Sequence, residues 1–151
     1  MKTPSAPVHP GATILLVDDN PHGLIARRTV LEELGYRVRI CESGAEALEL
    51  FAAQPVDLVI TDFRMPAMDG VELITRIRQV RPDLPIILLS GFVEPLGLTE
   101  QSTGADVVLS KSAGEVGFLV RSVRRLLSRQ PSRKSVESEG AAQAKKARNT
   151  G

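Results

Sequence analysis

The sequence predicts an α/β sandwich, with helices on both faces of a five-stranded parallel sheet. Two observations carry this expectation. Short, nearly continuous apolar runs recur along the chain, and each is followed by a segment with helical periodicity or capping signals. That alternation is the pattern of parallel strands joined by crossover helices. Runs that are apolar throughout belong to strands buried on both faces.

The first run, Thr13 to Val17, ends in acids. Asn20 followed by Pro21 reads as an N-cap and first helical residue. Ala26, Val30, Leu31 and Leu34 form the apolar stripe expected of that helix, and Gly35 ends it. Arg37 to Cys41 alternates in polarity, which suits a strand nearer an edge. Ser43, with Glu46 three residues on, predicts a capping box for a helix running to about Gln54. Val56 to Thr61 is the next strand and ends at Asp62. A helix from about Asp69 to Arg81 is expected to bury Leu73, Ile74 and Ile77. Pro85 to Leu89 predicts the fourth strand, ending at Ser90. Residues 91–103 form only a weak helix candidate, because Pro95 and Gly97 interrupt them. Val107 to Leu109 predicts the fifth strand, just before Lys111. The last helix, roughly Gly114 to Ser128, places Leu119, Val123, Leu126 and Leu127 at helical spacing.

Both ends differ from this pattern. Residues 1–12 carry Pro4, Pro7 and Pro10 and read as a flexible arm. Residues 130–151 contain no Leu, Ile, Phe or Tyr and read as a disordered basic tail. The folded unit is therefore expected over 13–129. Its end is expected to leave too little chain for a further folded module.

A chain that is 42% hydrophobic and 25% charged suits a globular core, and a net charge of +1 gives no argument for nucleic acid. No direct DNA binding is expected. Cys41 is the one cysteine, which excludes an internal disulfide and suits a small core residue. No apolar stretch is long enough for a membrane span or a signal peptide, so a cytoplasmic location is expected.

Parallel α/β sheets gather functional groups at the carboxyl ends of their strands. There the sequence places Asp18 and Asp19, then Asp62, then Ser90, then Lys111. Two unit charges 4 Å apart repel by roughly 4 kcal/mol at an effective dielectric near 20, so three clustered carboxylates call for a cation. Oxygen-only donors point to Mg²⁺. A carboxylate beside such an ion, with a hydroxyl and an ammonium nearby, can accept a phosphoryl group, a reaction that needs mainly alignment and charge neutralisation.

Asp18-Asp19, the segment Asp62-Phe-Arg-Met-Pro-Ala-Met-Asp-Gly70, Ser90-Gly91 and Lys111 together resemble the receiver domains of two-component response regulators, of the stand-alone type. The likeness runs from about Thr13 to Ser128. It implies a flavodoxin-like, doubly wound (βα)5 fold with strand order 2-1-3-4-5. It also implies that Asp62 is the phosphoacceptor, that Asp18, Asp19, Asp62 and the backbone carbonyl of Arg64 hold Mg²⁺, and that Ser90 and Lys111 bind phosphoryl oxygens. The partners so implied are a sensor histidine kinase or a phosphotransfer protein, and the domain would catalyse its own phosphorylation and slow dephosphorylation. A haloacid-dehalogenase-like phosphatase fits less well, because it needs Asp-x-Asp after the first strand, whereas here the two acids are adjacent and the expected acceptor follows the third strand. A flavodoxin-like carrier would need a hydroxyl-rich loop where this chain has acids.

Three departures from the family pattern stand out. Val108 occupies the position of a switching aromatic, Ser112 follows Lys111 in place of proline, and Arg64 and Phe92 stand along the expected path of the hydrolytic water. They imply a long-lived phosphorylated form and a switch through residues 91–104 rather than a ring rotation. They also keep open a pseudo-receiver that binds partners without phosphorylation.

Overall fold

A computed structural model describes residues 11–91, 96–112 and 114–129. The arm and tail predicted for 1–12 and 130–151 therefore lie almost wholly outside the described residues, as does Phe92. The elements alternate: β1 (Thr13–Val17), α1 (Pro21–Glu33), β2 (Arg37–Cys41), α2 (Gly44–Ala53), β3 (Leu58–Asp62), α3 (Gly70–Val80), β4 (Ile86–Ser90), α4 (Glu100–Thr103), β5 (Val107–Ser110) and α5 (Glu115–Ser128). All strand pairings are parallel, in the order β2-β1-β3-β4-β5. This is the doubly wound topology and strand order expected above. No helix among the described residues is long and apolar enough to cross a membrane.

The three central strands are buried along their whole length. Their side chains divide by the two-residue period of a strand. Ile14, Leu16, Leu58, Ile60, Ile87 and Leu89 face one way and pack with Leu24 and Leu31 of α1 and Leu119, Val123, Leu126 and Leu127 of α5. Leu15, Val17, Val59, Ile86 and Leu88 face the other way and pack with Ala47 of α2 and Leu73, Ile74 and Ile77 of α3. Truncating one such Leu or Ile to Ala costs about 2–5 kcal/mol, so the sheet position is held by both cores. Cys41 is fully buried, and burial, with a smaller push from Glu46, raises its thiol pKa to about 12. It is an inert core residue.

Several local expectations shift. On α1 it is Leu24 with Leu31 that is buried, whereas Ala26 is exposed, because the helix turns its Leu24 face to the sheet. Ser43 caps α2 by accepting from the Glu46 amide, but the Glu46 carboxylate takes the amide of Glu42 instead of closing a capping box on Ser43. Strand β3 begins at Leu58 and not Val56, whose carbonyl is taken by Arg81. Within the described part of 91–103, Glu100–Thr103 forms a short helix between Thr99, which makes a true capping box with Ser102, and the left-handed Gly104; Leu96 is also helical.

At the amino edge of the sheet, acids satisfy strand ends. Asp57 accepts from the Thr13 amide and Asp106 from the Ile86 amide, each at 2.8 Å. Arg78 ties this edge together by donating to the carbonyls of Pro82, Leu84 and Gly104 and pairing with Asp106 at 2.8 Å. Arg78→Ala would leave several of these acceptors unsatisfied. It is expected to lower unfolding free energy by about 2–3 kcal/mol in urea denaturation, with no loss of cation binding at the opposite edge.

Candidate metal centre at the carboxyl edge of the sheet

Asp18 is the first residue beyond β1, and it is almost fully buried. Its Oδ1 accepts from the Asn20 amide at 2.9 Å, which fixes the carboxylate at the entrance to α1. Its Oδ2 faces two cations, Arg27 Nη1 at 3.1 Å and Lys111 Nζ at 3.6 Å. Asp19 is exposed and lines an open cleft of about 470 Å³ together with Phe63, Arg64, Met65, Pro66 and Asp69. Asp62 ends β3, and its Oδ1 lies 2.9 Å from Lys111 Nζ. The three acids each offer a carboxylate oxygen, and these oxygens lie within 4.8 Å of one another. Ser90 ends β4 and is buried, next to Lys111, whose amide donates to the Ser90 carbonyl at 3.0 Å. Asp62 sits in register with Leu89, one residue short of Ser90.

The loop after Asp62 is shaped by close packing. A Cβ on Gly70 would lie 2.3 Å from the Asp62 carbonyl oxygen, so glycine is what lets α3 start against the end of β3. The Gly70 amide donates to Phe63 at 2.8 Å, and Asp69 caps α3 by accepting from Glu72 at 2.9 Å. Between them, Ala67 has φ 71° while the Met68 amide donates to the Pro66 carbonyl at 2.8 Å. This tight three-residue turn is strained for a residue with a side chain. Met68 is seated where Gly44 of α2 leaves room for its sulfur.

Electrostatics set the character of the site. Burial raises the Asp62 pKa above the ordinary carboxylate value. The Lys111 hydrogen bond opposes that rise, and the Asp18 charge adds to it. The donor set is therefore all oxygen, negative on balance and open to solvent on the Asp19 side. Those are properties that fit a hard, partly hydrated divalent cation such as Mg²⁺.

The structure thus gathers Asp18, Asp19, Asp62 and Lys111 into one site, sets Ser90 beside it and places Arg64 in the cleft lining. Two residues were not expected from the sequence. Arg27 of α1 binds both Asp18 and Glu115, and Glu115 is the buried first residue of α5. The one local signal was Gly23, a glycine inside a helix.

The family model described as the response regulator receiver domain matches residues 14–123. The response regulator receiver protein CpdR of Brucella abortus is 31% identical over 114 residues, covering 76% of this chain and 95% of CpdR. The transcriptional regulatory protein GlrR of Escherichia coli is 38% identical over 115 residues, which is 76% of this chain but 24% of GlrR. This chain thus spans about a quarter of the length of such curated regulators. The crystal structure of the response regulator protein TrrA of Thermotoga maritima in complex with Mg²⁺–BeF superposes with a TM-score of 0.69 at 34% identity, covering 76% of this chain and 98% of TrrA.

The raised pKa of Asp62 carries a sign. Its ionised form is disfavoured in the folded state, so its cost is absent below the unfolded-state pKa and grows as pH rises through the folded one. Asp62→Asn is therefore expected to stabilise the metal-free protein at pH 7 by on the order of 1 kcal/mol. The gain should shrink as pH is lowered toward 4, as read from denaturation midpoints across pH.

Proposed function

The chain belongs to the response regulator receiver domain family, and we propose that it is a phosphorylation-dependent switch of a two-component phosphorelay, carried by residues 13–129, with Asp62 as phosphoacceptor. The observation that carries this reading is the contact of Lys111 Nζ with Asp62 Oδ1 at 2.9 Å inside a cluster of three carboxylates. Asp62 is the acid at the end of the central strand β3, flanked by a metal-ligating pair on one side and a hydroxyl and ammonium on the other.

In the proposed reaction a carboxylate oxygen of Asp62 attacks phosphorus on a phosphohistidine or small phosphodonor. The new oxygen–phosphorus bond forms as the bond to the leaving nitrogen or oxygen breaks, and the leaving group departs with its electron pair and takes up a proton. A buried carboxylate with a raised pKa is a better nucleophile than a solvated one, provided its charge is balanced during attack. Lys111 would follow the charge from Asp62 onto a phosphoryl oxygen, and the Ser90 hydroxyl would bond another. Mg²⁺ held by Asp18, Asp19, Asp62 and the Arg64 carbonyl would neutralise the remaining phosphoryl charge. The Mg²⁺–BeF complex of TrrA, which is 34% identical, supports carrying this chemistry to this chain. The partners proposed are a sensor histidine kinase or a phosphotransfer protein upstream, and a protein target downstream, in the cytoplasm.

The output is proposed to depart from a ring-flip switch. Val108 is half-buried on β5, and its amide donates to Glu100 Oε2 of α4 at 3.0 Å. That bond couples α4 to the strand that leads into Lys111. Movement of Ser90 toward a phosphoryl group would then reach α4 through the segment following Gly91. The pseudo-receiver reading draws on the same Val108, since a missing ring could equally mark a switch that is lost.

Acetyl phosphate with Mg²⁺ should add one phosphate to the intact mass of the wild-type chain and none to Asp62→Asn. Lys111→Ala should slow the reaction on the order of a hundredfold. An unchanged wild-type mass would favour the pseudo-receiver. Amide hydrogen exchange with and without beryllofluoride–Mg²⁺ should show protection changes concentrated in 91–104, and identical exchange there would refute the proposed output.

A further inference from the structure

We propose that Arg27 is a built-in counter-cation of the acid cluster, competing with the divalent metal ion for the charge of Asp18, and that Glu115 sets how strongly it competes. This rests on the metal-binding reading above and adds to it a determinant of affinity. Arg27 lies on α1 with its side chain 11% exposed. Its guanidinium is divided between two acids. Nε and Nη2 grip the two oxygens of Glu115 at 2.7 and 3.0 Å, while Nη1 reaches Asp18 Oδ2 at 3.1 Å. The Glu115 contact is the bidentate fork that fixes a guanidinium in direction as well as distance. Asp18 cannot turn away, because its other oxygen is held by the Asn20 amide.

Both acids are nearly enclosed, with side chains 3% and 9% exposed, so solvent screens these charges poorly. Burial works to discharge Arg27, but Glu115, Asp18 and Asp62 outweigh it and hold the guanidinium above its ordinary pKa. Lys111 is already committed to Asp62, so Arg27 is the cation closest to Asp18.

Gly23 is a second, independent sign that the contact is built. A Cβ there would lie 2.8 Å from Arg27 Nη1 and 3.1 Å from Asp18 Oδ2. Glycine within a helix weakens it; here its missing side chain is the passage through which the guanidinium reaches Asp18. The clasp also joins the acid cluster to the first turn of α5 through Glu115, so the charge state at the sheet edge is felt on a helix that carries no metal ligand.

The two partners act on the metal ion in opposite senses. Arg27 repels an incoming cation, and Glu115 offsets that positive charge. Isothermal titration of the full chain with MgCl2 tests this directly. Arg27→Gln should tighten Mg²⁺ binding roughly tenfold, and Glu115→Gln should weaken it several-fold. Arg27→Lys, which keeps the charge, should stay within about twofold of wild type. Gly23→Ala leaves every charge in place but pushes the guanidinium off Asp18. It should tighten binding in the same direction as Arg27→Gln but by less, and it keeps the test open if either charge variant fails to fold. If wild type binds Mg²⁺ and the variants leave its Kd unchanged, or shift it in one common direction, Arg27 is a packing staple and the proposal is overturned. If wild type itself shows no Mg²⁺ binding, the metal-site reading falls, and this proposal with it.

Discussion

The rest of the structure depends on one electrostatic constraint, the crowding of three carboxylates at the carboxyl edge of a parallel sheet. The strands force it. β1 and β3 are hydrogen-bonded neighbours in parallel, so Asp18, which follows one, and Asp62, which ends the other, emerge side by side. Each pair of such charges repels by a few kcal/mol at these separations, and burial of Asp62 raises the cost further. The site tolerates this because Lys111 reaches Asp62 and Arg27 reaches Asp18. A divalent cation is the natural completion of a cluster that remains negative after both contacts are counted.

The two edges of the sheet show what the same residue type does under different constraints. At the amino edge the strands begin with amide donors, and Asp57 and Asp106 are consumed in accepting from them. At the carboxyl edge the strands end in carbonyls, which carboxylates cannot bond. Acids there turn to cations, with a loop amide such as that of Asn20 as the other partner. The chemistry of the fold therefore gathers at one end and its mechanical ties at the other. This is why the Arg78 network, which binds three carbonyls and Asp106, has no part in the site.

Geometry at the site is held by absence as much as by contact. Gly70 allows α3 to begin against the backbone of Asp62, Gly44 makes room for Met68 and thereby fixes the loop between them, and Gly23 opens the way for Arg27. Each removes a side chain where two elements must approach closely. The price is local stability in a helix, recovered in the two apolar layers that clamp the sheet.

The order of strands and helices, the identity of the core, and the four strand-end groups Asp18, Asp62, Ser90 and Lys111 were legible in the sequence, because local periodicity and the parallel-sheet rule suffice to place them. Element ends were less so: Val56 and Ala26 are apolar or small, and only packing decides that one precedes the strand and the other faces solvent. The capping box at Ser43 failed for a similar reason, since Glu46 has two amides within reach and the tertiary path of the chain selects Glu42. Arg27 and Glu115 left no sequence signal beyond the glycine at Gly23. They are separated by 88 residues, each is an unremarkable charge on its own helix, and their meeting depends on α1 and α5 covering the same face of the sheet. Sequence alone determined which groups stand at the sheet edge; tertiary structure decided which charges neutralise them, because ion pairing depends on distance in space and not along the chain.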